Sequence, residues 1–358
     1  MPTFRRLFAV ITAILLVLPA SVASATTGSL NEDRQVTVMS RNLYLGASLE
    51  PLIAPPDDDV LEAVRLVWQQ VQDTDFPQRA EALADEIVDN GPLLVGLQEV
   101  TTYRTGTVFS SEAAEHIVLD FLEILLAELA ERGAHYRVIE SVENFDGELP
   151  YVTGDPSTSF DLRLTDRDVI IARADVPTSQ LKVLATDSGN FSTSLPLPIA
   201  GQTTPILRGW VSADVKHRGQ TFRFVNTHPE AFHDGVNAAQ IAELAAGPLS
   251  TPLPVVLVGD LNATPASDSM SLLHAAGFRD TAVTAATSDA GPTCCFDATL
   301  TGGALTTRID YVLYRGAFDA RTQRRVGHRV EDQTPGGLYP SDHAGVVARL
   351  ILAPESED

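Results

Sequence analysis

The sequence predicts a single mixed α/β domain. Apolar, β-prone runs alternate with amphipathic helical stretches, and some runs follow one another with little more than a turn between them. Of the 358 residues, 44% are apolar, enough to fill a substantial core. Helices between strands, together with hairpin-like neighbours, exclude a wholly parallel sheet. The runs whose polar ends are singled out below stretch from residue 42 to 343, so no cut leaves two self-sufficient halves.

A first strand is expected at 36–42, followed by a loop holding Pro55, Pro56 and three aspartates. Helical patterns follow at 60–72 and 77–90. The second places Ala80, Leu83, Ala84, Ile87 and Val88 at core spacing, and Gly91-Pro92 ends it before a strand at 93–100. A long helix around 113–132, with Ile117, Phe121, Ile124, Leu125 and Leu129 on one face, stops at Gly133 and precedes a strand at 135–142. Further strands are expected near 168–173, 181–185, 206–215, 221–227, 254–260, 308–314 and 343–352, with helices at 236–246 and 267–276. The turn-rich insert 187–205 holds Leu195, Leu197 and Ile199. Long loops in compact domains are often functional, yet this one reads as a surface hairpin whose aliphatics cover a sheet edge.

Residues 1–25 have the form of an export signal: Arg5 and Arg6, an apolar stretch from Leu7 to Leu18, and a small-residue exit at Ala23-Ser24-Ala25. The apolar stretch is too short to span a membrane. The reading is an exported, secreted protein whose mature chain, 26–358, is one domain and a monomer with no obligate protein partner. The whole chain carries 25 Lys and Arg against 47 Asp and Glu, a net charge of −22, and loss of Arg5 and Arg6 takes it to about −24. Such a field disfavours general polyanion binding, although a local basic strip or divalent ions can act against it. The strip in view is Arg315, Arg321, Arg324, Arg325 and Arg329, whose plainer reading is a solvated strand face. Cys294 and Cys295 are the only cysteines and adjacent, so a long-range intrachain disulfide is excluded, while a strained vicinal bridge and two thiols remain equal alternatives.

Five apolar runs end in, or begin with, polar groups: VTVMSRN with Asn42, LLVGLQE with Glu99, VVLVGDLN with Asp260 and Asn262, RIDYVLY with Asp310, and SDHAGVVARL with Asp342 and His343. In layered α/β folds such strand ends gather into one crevice, which makes a single site the expectation. Together with NTH at His228, these elements resemble, in order, the endonuclease/exonuclease/phosphatase superfamily over roughly residues 36–353. The resemblance implies a four-layer sandwich, two mixed β-sheets flanked by helices, and a metal-dependent phosphoesterase.

A catalyst for phosphodiester displacement must neutralise developing charge, prepare water and support the leaving oxygen. The expected ligands of a hard cation are Glu99, Asn42 and Asp342; the ion is Mg²⁺, with Mn²⁺ or Ca²⁺ as substitutes. His343, with Asp310 on its other ring nitrogen, is the expected proton-transfer and phosphate-binding group. Asp260 is expected to orient or deprotonate water and Asn262 to donate to a phosphate oxygen, while the choice of base between His343 and Asp260 stays open. His228 matches the family's second histidine despite Pro229 after it, and Asp168 stands where related nucleases place an acid supporting that histidine. A structural carboxylate at Asp168 is nearly as good a reading, and Arg41 beside Asn42 reads equally well as reaching a substrate phosphate or as a structural ion pair. His233 is the best of the remaining histidines. The substrate is expected to be a phosphodiester, either nucleic acid or phospholipid. The alternative from another class is a non-catalytic binding module that keeps the fold.

Overall fold

Alternation along the strands sorts side chains into layers. In the computed structural model, which describes residues 34–352, Val36 and Val38 of the first strand face one apolar cluster while Met39 faces another. The expected export segment lies outside the described residues.

The chain runs from β1 (Gln35–Asn42) through α1 (Glu50–Ile53), α2 (Val60–Asp73) and α3 (Phe76–Asn90) into β2 (Leu94–Gln98), β3 (Thr102–Thr107) and β4 (His116–Asp120). Then come α4 (Phe121–Glu131), the long strands β5 (Tyr136–Tyr151) and β6 (Phe160–Arg173), and β7 (Leu181–Asn190). A hairpin, β8 (Leu195–Ile199) with β9 (Gln202–Ile206), precedes β10 (Gly209–His217), β11 (Gln220–Thr227), α5 (Asp234–Ala246) and β12 (Val255–Asp260). The remainder is α6 (Asp268–Ala275), β13 (Arg279–Asp280), α7 (Thr281–Thr284), β14 (Thr287–Ser288), β15 (Cys294–Phe296), β16 (Gly303–Thr307), β17 (Asp310–Arg315), β18 (Phe318–Val326) and β19 (Gly345–Leu352).

Two mixed sheets form the sandwich: a nine-stranded sheet ordered β14-β18-β19-β1-β2-β6-β3-β4, with β5 also paired to β6, and a six-stranded sheet ordered β13-β17-β12-β11-β10-β7. Val38, Ile170, Val258, Phe224 and Val312 meet between them. Helices α2, α3 and α4 cover the outside of the first sheet, and α5 and α6 cover the second through Ile241, Leu244, Met270 and Leu273. The expected four-layer α/β architecture is therefore observed.

Each sheet has a central parallel pair, β1 with β2 and β11 with β12, and in each an antiparallel strand, β19 or β17, lies beside the first or last of these. The C-terminal ends of the parallel pairs and the N-terminal ends of β17 and β19 thus share one edge of the sandwich. Just below that edge Asn226 bolts the sheets together. Its amide donates to Leu97 O at 2.9 Å and Val169 O at 3.1 Å and accepts from Gln98 at 2.6 Å. The approach requires Gly96, where a Cβ would lie 2.7 Å from the Asn226 oxygen.

One expected element is corrected. The helix around 113–132 begins only at Phe121, because the Asp120 carboxylate accepts from the amides of Leu122 and Glu123 and caps it there. Residues 116–120 pair instead with β3, which leaves Ile117 on an exposed sheet edge.

Candidate active site

The shared edge brings together every carboxylate and histidine that ends one of the central strands. Asp310 opens β17 and His343 lies two residues before β19; His343 Nδ1 is 2.8 Å from Asp310 Oδ2. Thr293 holds Asp310 in place by accepting its amide at 3.0 Å, and the Ser341 hydroxyl accepts the His343 amide at 3.1 Å while donating to Asn42 O. Asp260 closes β12, with Oδ2 at 3.6 Å from His343 Nε2 and 3.5 Å from His228 Nε2. One carboxylate oxygen therefore faces both imidazoles. Asn42 joins the two sheets, donating to Glu99 Oε1 at 3.0 Å and Asp260 Oδ2 at 3.2 Å. Leu45 N donates to Glu99 Oε2 at 2.7 Å. Asp342 Oδ1 lies 3.9 Å from His343 Nε2. His228, Asp260, Asp310 and His343 are buried, while Glu99, Asn262 and Asp342 are half-buried and form the mouth.

Backbone geometry at the mouth is unusual. Tyr44, Glu99 and Asn262 have φ of 58°, 55° and 47°, a left-handed conformation that only Asn among them adopts readily. Asp260 Oδ1 accepts the Asn262 amide at 3.0 Å, which holds that turn, and one Asn262 side-chain N–H donates to Pro229 O at 3.1 Å. Pro229 thus tethers the loop after His228, whose imidazole stays within the cluster.

Burial and charge separate the two histidines. For His343, burial alone would push the pKa down, but Asp310, Asp260 and Asp342 outweigh it and hold the imidazole well above its ordinary value. Burial drives His228 well below, with Arg208 and His343 adding to the effect. Burial raises Asp260 to about 7 and Asp342 to about 6, against the lowering influence of His343.

Three carboxylates, those of Asp260, Asp310 and Asp342, crowd around the His343 imidazole, and Asp310 Oδ1 is buried without a hydrogen-bond partner among the described residues. Buried negative charge of this kind calls for a cation, and oxygen donors suit a hard divalent one. Among the described residues, two groups bring three ligand atoms within 4.8 Å of one another: Asp260, Asp310 and His343, and Cys294, Cys295 and His343. The sulfurs of Cys294 and Cys295 are bonded to each other, so the second group offers no thiolate. In the first, Asp310 and His343 already bond to each other, so the carboxylates left at the half-buried mouth are Glu99 and Asp342, with Asn42 beside Glu99 at 3.0 Å.

The sequence reading missed several residues that position this site. Arg208 Nη1 lies 3.4 Å from His228 Nδ1, the place where Asp168 was expected; Asp168 is buried and accepts instead from Asn144 at 2.9 Å, with no bond to His228. Arg208 lies in the short connection between β9 and β10, after the turn-rich insert, and has no motif to mark it. Cys294 pairs as an isolated bridge with His343, a contact that sequence separation hides. Arg79, wholly buried, donates to Leu43 O, Pro340 O and Tyr44 O and so ties the loop after β1 to the segment before Ser341. Arg41 is an ion pair with Glu86 at 2.9 Å, which turns it away from the mouth. His233 is the N-cap of α5, a structural role. The arginine strip is dispersed: Arg315 donates to Leu249 O and Thr251 O beneath the second sheet, whereas Arg321 pairs with Asp319 and Arg325 with Asp289 on the first.

A sandwich whose facing strand ends converge on paired acids and paired histidines defines a phosphoesterase fold. The chain belongs to the endonuclease/exonuclease/phosphatase family, whose profile matches residues 67–343 and whose members are hydrolases acting on phosphoester bonds. Among solved structures it is similar to a family protein from Bacteroides thetaiotaomicron, with 17% identity, TM-score 0.58, and 89% of this chain and 98% of that one covered. A mannosyl-6-phosphatase from the same organism aligns at 18% identity and TM-score 0.56 over 88% and 99% of the two chains. TDP2 from D. rerio, complexed with a single-strand DNA product, aligns at 15% identity and TM-score 0.51 over 88% and 98%. No curated protein matches the chain. Among the described residues no helix is long and apolar enough to cross a membrane.

Proposed function

We propose that this chain is an exported, Mg²⁺-dependent phosphoesterase that hydrolyses phosphodiester bonds. The observation that carries the reading is the placement of Asp260 Oδ2 between the two imidazoles, at 3.5 and 3.6 Å, behind a half-exposed mouth of Glu99, Asn262 and Asp342. Glu99, Asp342 and Asn42 would hold the ion, which when bound would supply charge neutralisation and polarisation of the phosphate oxygens. Asp310 fixes the His343 ring and stabilises its charge, so that Nε2–H points into the mouth and donates to the phosphate. Asp260 orients water for in-line attack. The Asn262 N–H not taken by Pro229 donates to a non-bridging oxygen. His228, kept neutral beside Arg208, flanks the phosphate on the other side, and Asp168 supports this wall through Asn144 instead of touching substrate. The water oxygen bonds to phosphorus as one of its protons passes to the Asp260 carboxylate, the P–O bond to one alcohol breaks, and the departing alkoxide recovers that proton through solvent, leaving a phosphomonoester.

A phosphatase and a DNA-bound protein both share this fold, so the choice of substrate rests on what surrounds the site. A net charge of −22 and arginines already engaged by carbonyls and carboxylates disfavour a long polyanion. The test is an assay of the purified protein with Mg²⁺ against bis(4-nitrophenyl) phosphate, DNA, RNA and sphingomyelin, with and without EDTA. EDTA-sensitive cleavage of the aryl diester is expected. Cleavage of none of the four, with the fold intact, overturns the reading.

A further inference from the structure

Under the β8–β9 hairpin lies a half-open cavity of about 280 Å³ with mostly aliphatic walls, set apart from the proposed catalytic side chains, none of which lines it. The hairpin's Leu195, Leu197 and Ile199 alternate with exposed Pro196 and Pro198, so its aliphatic side turns inward. Its tip is tied down where Ala200 N donates to Leu52 O at 3.0 Å. Ile199, Ala200, Gln202, Thr204 and Ile206 of the hairpin line the cavity, so the expected cover for a sheet edge is one wall of a half-open space.

Three chain segments run from the cluster to the walls of this space. On β6, residues two apart share a face: Asp168 and Asp166 neighbour Arg208 and Glu99, and the next two on that face, Leu164 and Leu162, line the cavity. At the usual rise of a strand, Leu164 lies only about 7 Å beyond Asp166. From Arg208, which contacts His228, the chain leads back to Ile206 and Thr204, which also line it. Leu45, whose amide binds Glu99, accepts at its carbonyl the hydroxyl of Tyr103, a third wall residue.

The lining has few polar groups to offer. The Glu148 carboxylate accepts Ala114 N at 2.8 Å, and the Tyr103 hydroxyl is committed to Leu45 O at 2.8 Å. Gln202 and Thr204 on the hairpin are the other polar side chains of the lining, so a sugar or a base entering here would replace few of its hydrogen bonds to water, whereas a hydrocarbon has none to lose. Leu207 and Phe232, 38% and 63% exposed, extend apolar surface beside Arg208 and near His228.

We propose that this cavity is a subsite for an aliphatic chain esterified to the substrate phosphate, so that the preferred phosphodiesters are amphiphilic. The substrate class rests on the phosphodiesterase reading above; the subsite itself does not. The test uses alkyl 4-nitrophenyl phosphodiesters from methyl to octyl, kept monomeric. The expected result is a rise in kcat/KM of about fourfold per methylene, carried by KM, until the cavity is full. Thr204→Trp, which fills the space from the hairpin, is expected to flatten that dependence, and Ile206→Asn serves if the tryptophan variant does not fold. Hydrolysis with no dependence on chain length overturns the subsite and leaves the phosphodiesterase reading standing. Calorimetry with decylphosphonate against methylphosphonate reads the subsite without turnover: tighter binding of the decyl compound, lost in Thr204→Trp, supports it even if no diester is cleaved. Equal binding of the two overturns it. Cleavage of monomeric dihexanoyl phosphatidylcholine alone assigns the chain to soluble amphiphiles, and cleavage of dioleoyl phosphatidylcholine vesicles as well assigns it to membrane lipid. If neither is cleaved faster than the methyl diester, the amphiphilic substrate class is overturned.

Discussion

At His343 burial and charge pull in opposite directions, and three nearby carboxylates decide the outcome in favour of the cation. Its bond to Asp310 makes the two residues one unit. His343→Ala and Asp310→Asn are each expected to lower kcat by at least about a hundredfold, the scale of general acid–base contributions, with the double variant little worse than the worse single one. Kinetics of the three variants test this, and losses that multiply would dissolve the pair. Glu99 carries the other half of the chemistry. Glu99→Gln removes a charge at nearly constant size, so turnover is expected to vanish while the thermal transition survives. Near-wild-type rates at saturating Mg²⁺ would remove Glu99 from the metal site.

Among the elements, α3 matters most to the site although no part of it faces substrate. Its Arg79 is buried between the Phe76 ring, 4.9 Å away, and three loop carbonyls, and burial lowers its pKa to about 10. Arg79→Met leaves those carbonyls without donors and is expected to destabilise the fold by about 3 kcal/mol. Arg79→Lys restores charge but not the planar fork, so it should recover only part of that loss. Urea unfolding measures both, and a loss under 1 kcal/mol for Arg79→Met would make the arginine incidental. The cap of α2 provides the contrast. Asp59 accepts from the amides of Leu61 and Glu62 at an exposed end, and Asp59→Ala should cost about 1 kcal/mol.

For the whole molecule, the buried acids link stability to pH and metal. Asp166, Asp260 and Asp342 ionise near 3.8 when unfolded but are raised to about 7, 7 and 6 in the fold, chiefly by burial. Between those values the native state holds more protons than the unfolded one, so their stabilising contribution is complete below 3.8 and is lost as pH climbs to about 7. His343, raised, adds to this loss at higher pH, and His228, depressed, opposes it. Thermal scans of metal-free protein are therefore expected to show Tm falling from pH 5 toward 7.5, and Mg²⁺ should raise Tm more at the upper end. A Tm that rises over this range in EDTA, or a Mg²⁺ effect independent of pH, would contradict the account.

The sequence by itself determined the layered α/β class and the residues of the crevice. Period-two alternation and strand-end polar groups are local signals, and Asn42, Glu99, Asp260, Asp310 and His343 each ended or began such a run. Local signals also misled: an amphipathic stretch continued past Asp120, and only sheet pairing with β3 shows that 116–120 is a strand. Five arginines stand near one another in sequence, but Arg315 lies on the second sheet bonded to carbonyls, while Arg321 and Arg325 lie on the first and pair with Asp319 and Asp289. Tertiary structure alone decided that Arg208 takes the place expected for Asp168, that Cys294 and Cys295 lie beside His343, and that an aliphatic insert forms one wall of a cavity. Each of these depends on side chains far apart in the chain meeting across the sandwich, and no periodicity in a single segment encodes such a meeting.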